Sequence, residues 1–123
     1  MTRGRADRVK SYFDAYLTGR RDVIEAALAD DFTFTSPYDD AIDRAAYFER
    51  CWPGHGLFKS IEVERACEDG DAVLVVCRCE MKNGKSFRNM EFHRFEGDRL
   101  KSVEVFFGAS YRDGKFVAQR PPG

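Results

Sequence analysis

The 123-residue sequence holds little of what builds metal, redox or phosphate sites. It has two histidines, His55 and His93, so a three-histidine metal site within one chain is excluded. Its four cysteines, Cys51, Cys67, Cys77 and Cys79, contain no C-x-x-C pair. The common zinc and redox spacings are therefore missing, and neither a metal nor a cofactor is expected. Cys77 and Cys79 lie two apart in an apolar run and read as small buried hydrophobes in a reducing compartment. Net charge is -1, with 20 Lys and Arg against 21 Asp and Glu. Such a chain exerts no long-range pull on phosphate backbones or anionic membranes, so nucleic acid is not an expected partner. No apolar run approaches the roughly 18 residues that span a bilayer. The opening MTRGRADR has no apolar h-region, so no signal peptide and a cytoplasmic location are expected. There is no Gly-rich phosphate loop, no G-x-S-x-G and no H-E-x-x-H, which leaves nucleotide, serine-hydrolase and metalloprotease readings without support.

Aromatic residues are what the chain does have: 11 Phe, 5 Tyr and 1 Trp. Disordered chains are poor in them, so this one folds. Its length predicts a single domain, with a core over about residues 5–108 and a tail over 109–123. Val9, Tyr12, Phe13, Tyr16 and Leu17 form one helical stripe, which Gly19 ends. A second helix is expected with Asp22 as its cap and Val23, Ile24, Ala27 and Leu28 inward, broken by Asp30-Asp31. Phe32 to Ser36 alternates as a strand that Pro37 ends. Tyr38-Asp39-Asp40 reads as a solvated turn. A third helix is expected after Asp43 as N-cap, with Ile42 and Tyr47 as a hydrophobic staple. Phe48, Cys51 and Trp52 continue its stripe, Pro53 stops it, and Gly54-His55-Gly56 reads as an exposed flexible link. Strands follow over residues 58–68, 72–82, 86–96 and 100–107, joined by Asp69-Gly70, Asn83-Gly84 and Gly97-Asp98. Connections this tight make an antiparallel meander. The class is α+β: three N-terminal helices packed on one face of a curved, mainly antiparallel sheet. Residues 120–123 are expected to be disordered.

Phe87, Asn89, Glu91, His93 and Phe95 share one face of the third meander strand, with successive side chains about 7 Å apart. If that face meets the helices, three polar groups lie in an aromatic cavity. Glu91 then serves as general base or protonated donor, with His93 as partner or second base. The same three residues could instead satisfy buried backbone and tyrosine hydroxyls without chemistry. Tyr12 and Tyr16 are ligand contacts or core tyrosines, and Trp52 lines a cavity mouth or a helix-end core. The opposite strand face carries Arg88, Met90, Phe92 and Arg94, next to Phe106. That composition suits an interface, so a homodimer through Met90, Phe92 and Phe106 is expected.

YFDAYLTG, LADDFTFTSP, RCWP and EFHRFEGDRLKSVEVFFG together resemble the SnoaL-like branch of the nuclear transport factor 2-like superfamily. The resemblance covers residues 5–108. It implies a cone: a curved mixed sheet wrapped around a long helix, with a deep pocket, common dimerisation, and the first strand at the sheet edge. Known members include ketosteroid isomerase, polyketide cyclases, scytalone dehydratase, limonene epoxide hydrolase and non-enzymatic binders. Similarity to ketosteroid isomerase puts its oxyanion-hole Tyr at Tyr12, its oxyanion-hole Asp at Glu91 and its base Asp at Ser36. A lone serine does not abstract a carbon-bound proton at neutral pH, so that mechanism is not expected intact. Scytalone dehydratase pairs a His with an acid, which His93 with Asp39 or Asp43 echoes loosely.

The expected pocket is lined by Tyr12, Tyr16, Phe34, Ser36, Trp52, Asn89, Glu91, His93 and Phe107, around a small apolar ligand with one or two polar groups. Two functions stay open. One is an isomerase, cyclase or dehydratase in which Glu91 or His93 moves a proton and Tyr12 stabilises a carbonyl oxygen. The other is a non-catalytic binding or dimerisation domain.

Overall fold

The N-terminal apolar stripe winds as expected. In the computed structural model, which describes residues 4–118, α1 spans Arg5–Thr18 with Val9 wholly buried. It ends at Gly19, whose φ of 74° is left-handed and costs glycine nothing. The N–H groups of Gly19 and Arg20 close the helix on the carbonyls of Tyr16 and Ala15. α2 covers Arg21–Ala27. Asp22 does not cap it: Arg20 is the N-cap, and the Asp22 carboxylate pairs with the Arg20 guanidinium at 3.3 Å.

β1 runs over Leu28–Ser36, so it begins before the expected Phe32, and Asp30 and Asp31 lie within it. Their side chains are exposed and pair with Arg99 and Lys101, and the β1–β6 register shifts between Leu28 and Thr33, an irregularity that spans them. The expected Tyr38-Asp39-Asp40 turn is shorter than predicted, because β2 already starts at Asp39 and runs over Asp39–Asp43. Ile42 pairs with Phe34, and Thr35 Oγ1 accepts a 3.0 Å bond from the Ala41 N–H. Asp39 is not a solvated turn residue: its side chain is largely covered and pairs with Arg50 at 3.2 Å. α3 is Arg44–Arg50, and Asp43 caps it as expected by accepting from the Ala46 N–H at 2.9 Å. A 3-10 helix, Trp52–Leu57, replaces the expected flexible link.

The meander forms β3 (Phe58–Asp69), β4 (Ala72–Met81), β5 (Ser86–Glu96) and β6 (Arg99–Arg112), with β7 (Lys115–Val117) paired to β6. β6 continues past residue 107, so most of the expected tail is a hairpin. The expectations for residues 1–3 and 120–123 lie outside the described residues. Strand order is β2-β1-β6-β5-β4-β3. β1 runs parallel to β6 and antiparallel to β2. The sheet is thus mixed and open, and β2 rather than the first strand forms its edge. Register shifts within the β3–β4 and β5–β6 pairs mark bulges, which bend a sheet.

One sheet face packs on the helices. Val73, Val75, Cys77 and Cys79 of β4 lie on it, beside Asn89, Glu91, His93 and Phe95 of β5 and Val103 and Val105 of β6. Phe32 and Phe95 are each 1 % exposed. Each contributes about 1.5–3 kcal/mol relative to an exposed ring.

Candidate functional site

A cavity of about 140 Å³ lies between the helices and the inner sheet face. α1 lends Tyr12, Phe13 and Tyr16 to its wall, α2 lends Ile24, and α3 and its C-cap lend Tyr47 and Cys51. The strands add Leu28, Phe32, Phe34, Phe58, Ile61, Cys79, Leu100 and Val103, together with Glu91 and His93. The helical side chains come from the 3.6-residue stripe, and the strand side chains come from the period-two alternation. An engineered apolar cavity of about 150 Å³ holds benzene, whereas drug-sized ligands need roughly 300 Å³ or more. The space therefore matches a single ring.

Glu91 is the one carboxylate in this wall and His93 the one imidazole. Two residues apart on β5, they point the same way, and His93 Nε2 lies 3.0 Å from Glu91 Oε1. Their side chains are 11 % and 6 % exposed. The His93 ring stands edge-on to Phe13, 5.7 Å between centroids. His93 Nδ1 is sealed among protein atoms without a hydrogen-bond partner. A proton there would be an unpaired buried donor, so the arrangement of lower cost places N–H at Nε2, donating to the Glu91 carboxylate. Glu91, the more exposed partner, then presents its second oxygen as the acceptor of the pair.

The phenols and thiols around this pair are held neutral. Burial pushes the Tyr16 and Tyr47 hydroxyls far above their ordinary range, and the negative charge of Glu91 adds to both shifts. Burial likewise raises the Cys51 thiol to about 11 and the Cys79 thiol to about 12. Neither thiol is a ready nucleophile. Tyr16 donates its hydroxyl hydrogen to the Cys51 carbonyl at 3.2 Å. Among the described residues no three His, Cys, Asp or Glu side chains gather as a metal site.

Residues 9–103 match the family model of the SnoaL-like domain. The chain belongs to the SnoaL-like family. Among curated proteins none matches the sequence. Solved structures with the same fold include an NTF2-like protein from Cytophaga hutchinsonii, 21% identical over 87% of this chain and 92% of its own, with a TM-score of 0.71. An LEH-like epoxide hydrolase from M. tuberculosis is 20% identical over 83% of this chain and 76% of its own, with a TM-score of 0.67. A protein with a ketosteroid isomerase-like fold from Catenulispora acidiphila, solved with trimethylamine, is 15% identical over 81% of this chain and 84% of its own, at a TM-score of 0.64. At these identities the likeness shows the fold and leaves the chemistry to the site.

In this SnoaL-like domain Tyr12, Tyr16, Phe34, Glu91 and His93 share the cavity wall, and four other expected lining residues do not. Ser36 sits at the β1–β2 turn, where its hydroxyl accepts from the Tyr38 N–H at 3.1 Å. Trp52 is 7 % exposed and packs on Tyr16 and on His55, 4.8 Å between ring centroids for the latter. His55 is accordingly half-buried rather than exposed. Asn89 is on the cavity side of β5 but closer to its start, paired with Cys77 and Phe107. Phe107 is 37 % exposed and contacts Tyr38 and Phe87 at the rim. Tyr47 was absent from the expected lining. Its position one helical turn before Cys51, on the same face of α3, was the available signal.

Proposed function

We propose that this SnoaL-like domain is an enzyme of isomerase, cyclase or lyase type that moves a proton on a small apolar carbonyl compound. The observation that carries the reading is the Glu91–His93 contact of 3.0 Å inside an otherwise aromatic and aliphatic wall. Glu91 takes the proton from a carbon next to the carbonyl, and the C–H electron pair moves toward the carbonyl oxygen. His93 positions the carboxylate. Tyr12, on the same wall, stabilises the developing oxyanion. Return of the proton to a different carbon completes an isomerisation, and loss of a leaving group completes an elimination. Ser36 has no part in these steps, since its hydroxyl serves the β1–β2 turn. Relatives with epoxide hydrolase chemistry and with ketosteroid isomerase-like folds agree with a pocket enzyme. The single-ring volume favours a smaller substrate than a steroid.

The test is proton exchange at C6 of 2-cyclohexen-1-one, the saturated carbon next to its carbonyl, in D2O, followed by NMR. The wild-type protein is expected to speed exchange, and Glu91→Gln to lose about 10²–10⁴-fold of it. Equal exchange with both proteins would refute a base at Glu91. Binding with no exchange above buffer would make the domain a binder.

We further propose that a second copy of the chain covers the outer sheet face. Met90 and Phe106, 48% and 54% exposed, oppose each other across β5 and β6. Phe92 lies beside them under the Arg94 guanidinium, 5.4 Å from its ring centre. A patch of this kind on a chain of net charge -1 suits a two-fold contact with no net repulsion. Light scattering at micromolar concentration should give a dimer mass, and Phe106→Glu a monomer. A monomeric wild-type protein would refute it.

A further inference from the structure

The cavity wall carries three phenols, and they are not equivalent. Tyr16 spends its hydroxyl hydrogen on the Cys51 carbonyl, and Tyr12 is not without a partner. Tyr47 has ring neighbours but no hydrogen bond from its hydroxyl to any described residue. The sealed and unpartnered polar atoms of the described residues are Arg44 Nε, Asn89 Oδ1 and His93 Nδ1. The Tyr47 oxygen is not one of them, so it is not fully sealed, and Tyr47 lines the cavity. Its ring is clamped by Phe32, Phe34 and Phe48 at centroid distances of 5.5, 5.3 and 5.3 Å. Such packing fixes a rotamer, so the hydroxyl is aimed before any ligand arrives. Burial also keeps the phenol protonated, which makes it a donor throughout the ordinary pH range.

We infer that Tyr47 selects the ligand, its phenol donating a hydrogen bond to an oxygen atom of a one-ring molecule held in the cavity. This rests on the pocket reading above and adds to it a discriminating residue and a ligand class, the cyclic ketone or a similar oxygen-bearing ring. A carbonyl oxygen has two lone pairs, so one that accepts from Tyr47 can still accept from a second donor. A hydrocarbon ring of equal size would enter the same apolar space and leave the Tyr47 hydroxyl without an acceptor. A site built to hydrogen-bond a polar group disfavours the analogue that lacks it.

Two probes separate these effects: 2-cyclohexen-1-one and cyclohexene, with dissociation constants measured by protein-observed NMR titration. Tyr47→Phe should weaken ketone binding about fivefold, the worth of one neutral hydrogen bond, and leave cyclohexene binding unchanged. Tyr16→Phe, whose hydroxyl is already committed to the backbone, should leave the ratio of the two constants unchanged even where it lowers stability. Unchanged ketone binding in Tyr47→Phe, or equal weakening of both probes, would overturn the role of Tyr47 while leaving the pocket in place. Failure of both probes to bind the wild-type protein would overturn the pocket reading, and the role of Tyr47 with it.

Discussion

Removing either member of the Glu91–His93 pair leaves the other buried without its partner. The contact is 3.0 Å long and the side chains are only 11 % and 6 % exposed, so water screens it little. A hydrogen bond to a charged group is worth about 1.5–3 kcal/mol net. Glu91→Leu takes away the acceptor, and His93→Phe takes away the donor while keeping a ring against Phe13. Each change alone should cost about 2–4 kcal/mol, because a buried polar group is stranded. The double substitution should cost less than the sum of the two by about 1.5–3 kcal/mol, since nothing polar remains to strand. Urea unfolding of the four proteins, with equal slopes, gives this coupling directly. Costs that add to within about 0.5 kcal/mol would show that the pair does not interact, and the assignment of roles to Glu91 and His93 would fall.

Three further outcomes follow from the packing and the titrating groups. A methyl group at Gly108 would sit 2.5 Å from the Arg88 carbonyl oxygen, a backbone atom that has little room to move. Gly108→Ala should therefore lower stability by about 1–3 kcal/mol, while Gly56→Ala, which meets nothing within 4 Å, should spare it. Stability should fall with rising pH from about 9 to 12, because Cys51 and Cys79 ionise near 9.0 when unfolded but only near 11 and 12 when folded. Over that range the folded state binds more protons than the unfolded one, so unfolding is favoured as pH rises; Cys79→Ala should flatten the slope of urea midpoint against pH. Asp43→Ala should cost about 1 kcal/mol by uncapping α3, seen as a lower urea midpoint at constant slope.

Much of the architecture was legible because its signals are local. The stripe from Val9 to Leu17, the Gly19 stop and the Asn83-Gly84 turn each rest on a few neighbouring residues. β2 was not legible, because Asp39-Asp40-Ala41 has turn composition and becomes a strand only by pairing Ile42 with Phe34 of β1. The start of β1 was hidden as well, since Leu28 also completes the apolar face of α2. At the site, alternation along β5 placed Asn89, Glu91 and His93 on the inner face, where all three are buried. Period two tells which face a residue occupies but not how far along the curved sheet it lies. Asn89 and Phe107 thus fall on the expected side yet beyond the cavity wall. Ser36 enters through the likeness to ketosteroid isomerase, and Trp52 through its place beside a Gly-rich loop. Tyr47 read as a staple beside Ile42, and its cavity role depends on β1 rings that only the fold brings to it.

The central claim is that a one-ring ligand lies between the helices and the inner sheet face, against Glu91. Intermolecular nuclear Overhauser contacts from 2-cyclohexen-1-one to the labelled protein test it most directly. Contacts to Phe13, Phe34, Tyr47 and Val103 are expected, since all four line the cavity. Contacts confined to the surface groove beside Arg78, Arg88 and Tyr111, with none to those four residues, would contradict it.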